Sequence, residues 1–303
     1  MPHRRSQGLP RIRLSVLLPW LPLLPGLLWL LLLFVLPLLG LLPAALSLPN
    51  APYGLALRFA WHWSNFSEVV LRHGGVLGRS VAMAGLATLL AALLGYPLAW
   101  VIAFRGGRWR GLLLGLVVVP FFTSTMVRAI AWTTLLADQG PVLGLLRRMA
   151  LLVPLQQLGL LSQGRLLNTA TAVLGGLTYN ALPLMVLPLV VALQRLDPAL
   201  LEAADDLFAR PAERFWRVVW PLSQPGLAAG VLLSLIPSLG DVINPRLLGG
   251  PDDRMVGNII DNLLLVQQLL PRGAALALVL MALVLLPLPL LLARRGSRDL
   301  LVR

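Results

Sequence analysis

Six stretches of this chain carry no charged side chain: 14–46, 80–104, 111–127, 166–194, 218–240 and 273–293. Each approaches or exceeds the roughly 18 residues that an α-helix needs to cross a bilayer core. A soluble core could not hide that much apolar surface. Of all residues 58% are hydrophobic and only 12% charged, against about 25% charged in ordinary soluble domains. Lipid offers no water to unpaired backbone groups, so such segments cross as helices rather than as an open sheet. The expected fold class is all-α: a polytopic membrane protein with six transmembrane helices over about 16–42, 78–104, 111–136, 168–193, 220–240 and 273–293. No linker divides the chain, so 1–303 reads as one membrane domain.

The net charge of +13 could suggest nucleic acid, but the arginines fall in short groups between apolar runs instead of covering one polar domain. Topology accounts for them better. Arg4, Arg5, Arg11 and Arg13 precede the first span, and Arg105, Arg108 and Arg110 separate spans two and three. Arg195, Arg210, Arg214 and Arg217 lie between spans four and five, and Arg294, Arg295, Arg298 and Arg303 follow the last. The positive-inside rule makes these regions cytoplasmic and puts both termini on that side of the membrane. Cysteine is absent, which excludes disulfides and thiolate metal sites. Lysine is absent too, so the chain lacks the residue with which a P-loop grips phosphates. No cofactor is expected on this chain, and any ATP it depends on must be bound by another subunit.

Local features refine the picture. The apolar run after the basic N-terminus is much longer than a signal peptide's roughly 7–15 residues, so the first span is expected to remain uncleaved despite the small residues of Pro43 to Ser47. Trp61, Trp63 and Phe66 suit an external interfacial segment, and His62 and His73 find no third ligand at metal-site spacing. Span three carries an internal charge, Arg128. A continuous helix would place it about 17 residues, or roughly 25 Å, from the cytoplasmic end, where its side chain can snorkel to the outer surface. Thr123, Ser124 and Thr125 could line a pathway or serve helix packing. Met149 to Gly164 is too short and too polar for a seventh span and reads as interfacial or re-entrant. Pro120, Pro183, Pro188 and Pro237 interrupt spans, as kinks or around a cavity.

The segment between spans four and five, 194–221, gathers acids that are scarce elsewhere. Asp197 and Pro198 start a helix by side-chain cap and preset φ. Leu200, Ala203, Ala204 and Leu207 then recur at helical spacing, with Glu202, Asp205 and Asp206 opposite. Pro211 can start a second short helix, and Pro221 is expected to mark the bend into span five. From Asp197 to Trp220 there are five acids against three arginines, which suits a protein partner better than anionic lipid headgroups.

The sequence EAADDLFARPAERFWRVVWP resembles the EAA loop of the permease subunits of bacterial ABC importers. Glu202, Ala203, Ala204, Val218 and Pro221 match that pattern, whereas Phe208 stands in the place of its glycine and Trp220 in the place of its leucine. The segments PFFTSTMVRAIAW, LTYNALPLMVLPL and IPSLGDVINPRLLGGPDDRMVGNII resemble the spermidine and putrescine permeases, and the similarity spans roughly 70–295. The resemblance implies the type-I importer permease fold and alternating access driven by an ATPase dimer. It also implies a second permease subunit and an external solute-binding protein. Glu202, Ala203, Ala204, Asp205, Phe208 and Pro221 would then belong to the coupling element that docks on the ATPase.

A polyamine cargo favours carboxylates and aromatic faces, and Trp132, Tyr179, Asn180 and Asp241 are the candidates for its path. Each also has a structural use, as interface anchor, helix end or interhelical hydrogen bond. Arg246 stands where the polyamine group usually has an acid, which keeps another small organic or anionic solute open. A secondary transporter would need coupling carboxylates inside the spans, and none of the six uncharged runs holds one. A membrane enzyme would need clustered His, Asp, Glu or Ser, and the three histidines lie near the N-terminus or in one loop. No catalytic residue and no metal site is expected.

Overall fold

The computed structural model describes residues 23–49, 57–207 and 210–286. Helices dominate: α1 Leu24–Ala45, α2 Ser64–Arg105, α3 Gly107–Phe122, α4 Thr125–Leu136, α5 Pro141–Arg148, α6 Leu152–Gln157 and α7 Ala170–Gln194. They continue as α8 Pro198–Leu207, α9 Pro211–Leu239, α10 Ile243–Leu248, α11 Val256–Val266 and α12 Leu270–Leu285. A small antiparallel pair, β1 Ser47–Pro49 and β2 Leu57–Phe59, joins α1 to α2.

Among the described residues four helices are long and apolar enough to cross a membrane: α1, α2, α7 and α9. A fifth crossing results if α3 and the helical segment after it count as one broken span. The sixth expected span corresponds to α12, with 16 helical residues described. Its expected continuation to 293 lies outside the described residues, as do the start of span one and both basic termini.

The core is a three-helix arrangement of α2, α7 and α9. Its tightest seam is a stripe on α9 at intervals of four: Gly226, Gly230, Ser234 and Ser238, all buried. Lipid tails are as apolar as leucine side chains, so helices in a bilayer associate through close packing and interhelical hydrogen bonds. The stripe supplies both. A Cβ at Gly226 would lie 2.4 Å from Ala192 Cβ, and Ser234 Oγ donates to the Ala181 carbonyl of α7 at 3.2 Å. Tyr96 of α2 and Ser223 of α9 share a hydroxyl contact of 2.7 Å that ties the seam's other flank. By contrast α1 packs mainly on α12, and leucines along its length are exposed. In a lipid-facing helix such exposure carries no penalty.

Polar ties fix the loops. Asn65 Nδ2 donates to the Ala45 and Ser47 carbonyls at 2.8 and 3.0 Å, holding the end of α1 against the start of α2. The Val256 N–H donates to Ser80 Oγ at 2.8 Å, tying α11 to α2. The segment after α4 forms the short helices α5 and α6, whose 8 and 6 residues cannot cross a bilayer. It rests on the core through Leu143 and Leu161, and Arg165 pairs with Asp138 at 3.2 Å.

Two elements depart from the sequence reading. Span three is not one helix: the chain breaks at Thr123 and Ser124 and turns by 99°. Pro120 withholds a backbone donor, and Thr123 Oγ1 donates to the Pro120 carbonyl at 2.7 Å, so local bonding competes with helix continuation. Second, α9 begins at Pro211 and runs through Pro221 without a break, by way of a π-helical turn at Phe215–Val219. Pro221 occupies the second residue of the α-helical stretch that follows this turn, and the wider turn accommodates its missing N–H.

Candidate functional site

Two regions hold the residues singled out from the sequence. The first is a cavity of about 550 Å³ where the break in span three meets α7, the C-terminal part of the α9 stripe and the start of α10. Thr123, Ser124 and Thr125 line it from the break, Asn180 from α7, Ser234 and Ser238 from α9. Asp241 closes it from the turn before α10. It forms because α4, bent away from α3, packs mainly against α10 and meets α7 over a shorter stretch.

Of the four expected path residues, Asn180 and Asp241 line this cavity, whereas Trp132 and Tyr179 do not. Those two rings pack against each other at 5.7 Å between centroids, edge to face. Asp241 is already engaged. Its Oδ1 accepts the N–H groups of Ile243 and Asn244 at 2.8 and 3.0 Å, and its Oδ2 accepts Asn244 Nδ2 at 2.6 Å. The carboxylate thus anchors the start of α10. Asn180 Oδ1 is buried and has no hydrogen-bond partner among the described residues.

Arg128 occupies the same cavity, contrary to the expectation that it snorkels to the surface. A continuous helix would carry Arg128 to the surface; the break instead puts it in the first turn of α4, lining the cavity with Asn180 and Asp241. Nη2 donates to Thr125 Oγ1 at 3.0 Å, and the guanidinium carbon lies 5.9 Å from the centre of the Phe121 ring. Nε and Nη1 are buried without a partner among the described residues. Ser234 and Ser238 are not among the residues singled out from the sequence. Their signal was the four-residue interval they share with Gly226 and Gly230.

The second region is α8 with the start of α9. The Ala199 N–H donates to Asp197 Oδ1 at 2.9 Å, so the expected cap forms. Glu202, Ala203 and Asp206 are exposed, and Ala204 is buried. Asp205 differs from the other acids: Arg214 Nη1 donates to its two oxygens at 2.6 and 2.5 Å, clamping α8 to the first turn of α9. Both side chains are partly exposed, so the pair contributes orientation more than stability. Phe208 lies outside the described residues. Just beyond the clamp Phe215 packs edge to face on Tyr96 at 5.7 Å and on Trp100 at 6.0 Å, and Trp220 stands 5.7 Å from Tyr96. The start of α9, to which α8 is clamped, is therefore wedged against α2.

At the far end of α10, Arg246 contacts the Asp261 carboxylate, so its charge is offset within the chain. A polar depression of about 480 Å³ beside it is lined by Asn168, Arg254, Asn258 and Asn262.

A bundle of apolar helices of membrane-crossing length around a cavity that holds Arg128, Asn180 and Asp241, with an acid-rich helix clamped to one of them, is the architecture of a multi-pass membrane protein. Residues 91–298 match the family of binding-protein-dependent transport system inner membrane components, and the chain belongs to that family. It is 41% identical over 214 residues to a spermidine/putrescine transport system permease protein PotB of Haemophilus influenzae, covering 69% of this chain and 72% of that one. It is 37% identical over 224 residues to the PotB of Escherichia coli K12, covering 74% and 78%. The inner membrane ABC transporter permease protein YdcU of the same organism is 37% identical over 233 residues, covering 74% and 72%. Among solved structures, a bacterial alginate ABC transporter in complex with alginate pentasaccharide-bound periplasmic protein has a chain matching with a TM-score of 0.69. Its sequence identity is 18%, with 96% of this chain and 98% of that one covered. The fold is that of an ABC importer permease, and the chain is a multi-pass inner-membrane protein.

Proposed function

We propose that this chain is one permease subunit of an ABC importer that carries a small amine of the polyamine class inward by alternating access. The observation that carries the reading is the 41% and 37% identity to permeases named for spermidine and putrescine. The subunit works with an external solute-binding protein, a second permease and an ATPase dimer that binds and hydrolyses the ATP. It binds no cofactor and performs no chemistry on the solute, so it is not an enzyme. Both termini and α8 are cytoplasmic, in accord with the arginine groups at 105–110 and 195–217.

In this mechanism α8 is the element that engages the ATPase. Glu202 and Asp206 present exposed carboxylates, Ala203 offers a small exposed surface, and buried Ala204 seats the helix. Asp205 holds α8 to α9 through Arg214, while Pro221 lies within the helix that carries the displacement. Closure of the ATPase dimer pushes on α8. The clamp and the aromatic wedge against Tyr96 and Trp100 pass the push to α9 and α2. The glycine and serine stripe of α9 lets it slide on α7, which reshapes the cavity holding Asn180 and Asp241.

Glu202→Lys tests the coupling role. The variant importer should insert in the membrane but hydrolyse ATP without transporting solute, measured as uptake per ATP in proteoliposomes. Transport equal to that of the unaltered importer would sink the assignment of α8.

A further inference from the structure

We infer that a groove at the cytoplasmic end of the α7–α9 seam binds one anionic phospholipid of the inner leaflet, its acyl chain in the groove and its phosphate on Arg195. The site is separate from the solute path, and only the naming of the leaflet rests on the orientation proposed above.

The groove has a volume of about 600 Å³, and of its nine lining residues eight are apolar and the ninth is Arg195. Space remains because Ala192 of α7 faces Gly226 and Ala229 of α9, which contribute little or no side chain. Val191 and Leu222 line it as well and are 50% and 45% exposed.

Its depth fits one leaflet. The 25 residues of α7 extend about 37 Å, enough to cross a bilayer core of roughly 30 Å, so Arg195, just past their end, stands at headgroup level. Pro188, the deepest lining residue of that helix, lies about 10 Å further in, and Leu222 to Ala229 covers about the same length of α9. A chain entering beside Arg195 therefore follows the groove roughly two thirds of the way through the leaflet.

An apolar slot with a single cation at headgroup level is the complement of an amphiphile with a negative head. Arg195 is exposed and forms no ion pair among the described residues. Asp197, the acid nearest to it in sequence, does not line the groove, and its Oδ1 accepts the Ala199 N–H at the start of α8. The remainder of the acid-rich segment, 198–220, contributes no lining residue either. One guanidinium offers a phosphate two parallel donors. A small amine, by contrast, is repelled by Arg195. A helix of the second permease fills the apolar part but pairs the guanidinium only if it carries an acid at that depth, whereas anionic headgroups stand there throughout the leaflet. The groove reaches Gly226, where α7 and α9 approach closely, so a bound chain bears on the seam that connects α8 with the cavity.

The test uses the purified complex of both permeases and the ATPase dimer in detergent. It is titrated with dioleoyl phosphatidylglycerol and, separately, with dioleoyl phosphatidylcholine, and bound lipids are counted by native mass spectrometry. One phosphatidylglycerol should bind about fivefold or more tightly than phosphatidylcholine. Arg195→Gln should abolish that preference, and Ala229→Leu, which fills the groove, should remove the tight lipid. Should Ala229→Leu fail to assemble, Arg195→Gln at its exposed position carries the test. Equal binding of the two lipids by the unaltered complex, or a preference that survives Arg195→Gln, overturns the proposal. Photoreactive benzoylphenylalanine in place of Leu222 then identifies the occupant in intact membranes, where it should capture phospholipid. Capture of the second permease or of a free fatty acid in its stead overturns the proposal. Lipid counts do not depend on the solute, so either result leaves the amine reading intact.

Discussion

Substituting Gly226 by alanine places a single carbon where the α7–α9 seam has no room. The new Cβ would lie 2.4 Å from Ala192 Cβ and 2.7 Å from the Pro188 carbonyl oxygen. Comfortable carbon contacts need roughly 3.5–4.0 Å, so the helices must part by about 1 Å. Neither obstructing atom can rotate away, because one is backbone and the other is fixed to it. Overpacking of this kind costs about 1–3 kcal/mol, and the rigid obstruction argues for the upper end. Alanine's better helix propensity returns about 1 kcal/mol, which leaves roughly 2 kcal/mol of destabilisation. For a chain of 303 residues that corresponds to a fall in melting temperature of about 3 °C. The assay is thermal unfolding of the purified protein in detergent, followed by tryptophan fluorescence. Gly78→Ala on α2 is the control, since nothing lies within 4 Å of its added carbon. It should be neutral or slightly stabilising through propensity alone. If Gly226→Ala melts at or above the temperature of Gly78→Ala, close approach at the stripe does not hold α7 and α9 together.

Tyr96→Phe removes the hydroxyl contact with Ser223 but keeps the ring against Phe215 and Trp220, so the same melt should register a loss of about 0.5–1.5 kcal/mol. An unchanged melt would mean that the hydroxyl pair contributes nothing to the α2–α9 seam. Asp241→Ala strips the acceptor from Ile243, Asn244 and the Asn244 side chain, at a cost of about 1–2 kcal/mol centred on α10. Hydrogen exchange should accelerate at the amides of Ile243–Leu248, and Asp241→Asn should restore part of the protection. Exchange unaltered by either change would show that the carboxylate is not what anchors this helix.

Much of this protein is written in the length and period of its apolar runs. Solvent class, helical spans and the acid-rich helix after Asp197 follow from residues close in sequence. Lipid forbids unpaired backbone, and local spacing then leaves few alternatives. The cap at Asp197 and the start at Pro211 are equally local, and both form. Sequence similarity then carried the family, because the loop pattern around Glu202 survives even where two of its positions differ.

The tertiary structure alone decided what the polar side chains do. Whether span three continues past Pro120 depends on a balance between the proline's missing donor, the hydroxyl of Thr123 and the packing of α4 on α10. Sequence spacing cannot weigh those terms, so by itself it predicts one helix and an Arg128 that reaches the surface. Likewise Asp241 looks like a free carboxylate until α10 folds back onto it, and Asp205 looks like one more docking acid until Arg214 closes on it. A hydrophobic run is fixed by its neighbours in the chain and by the solvent around it. The environment of a buried charge is fixed by which helices meet there, and that meeting exists only in the folded molecule.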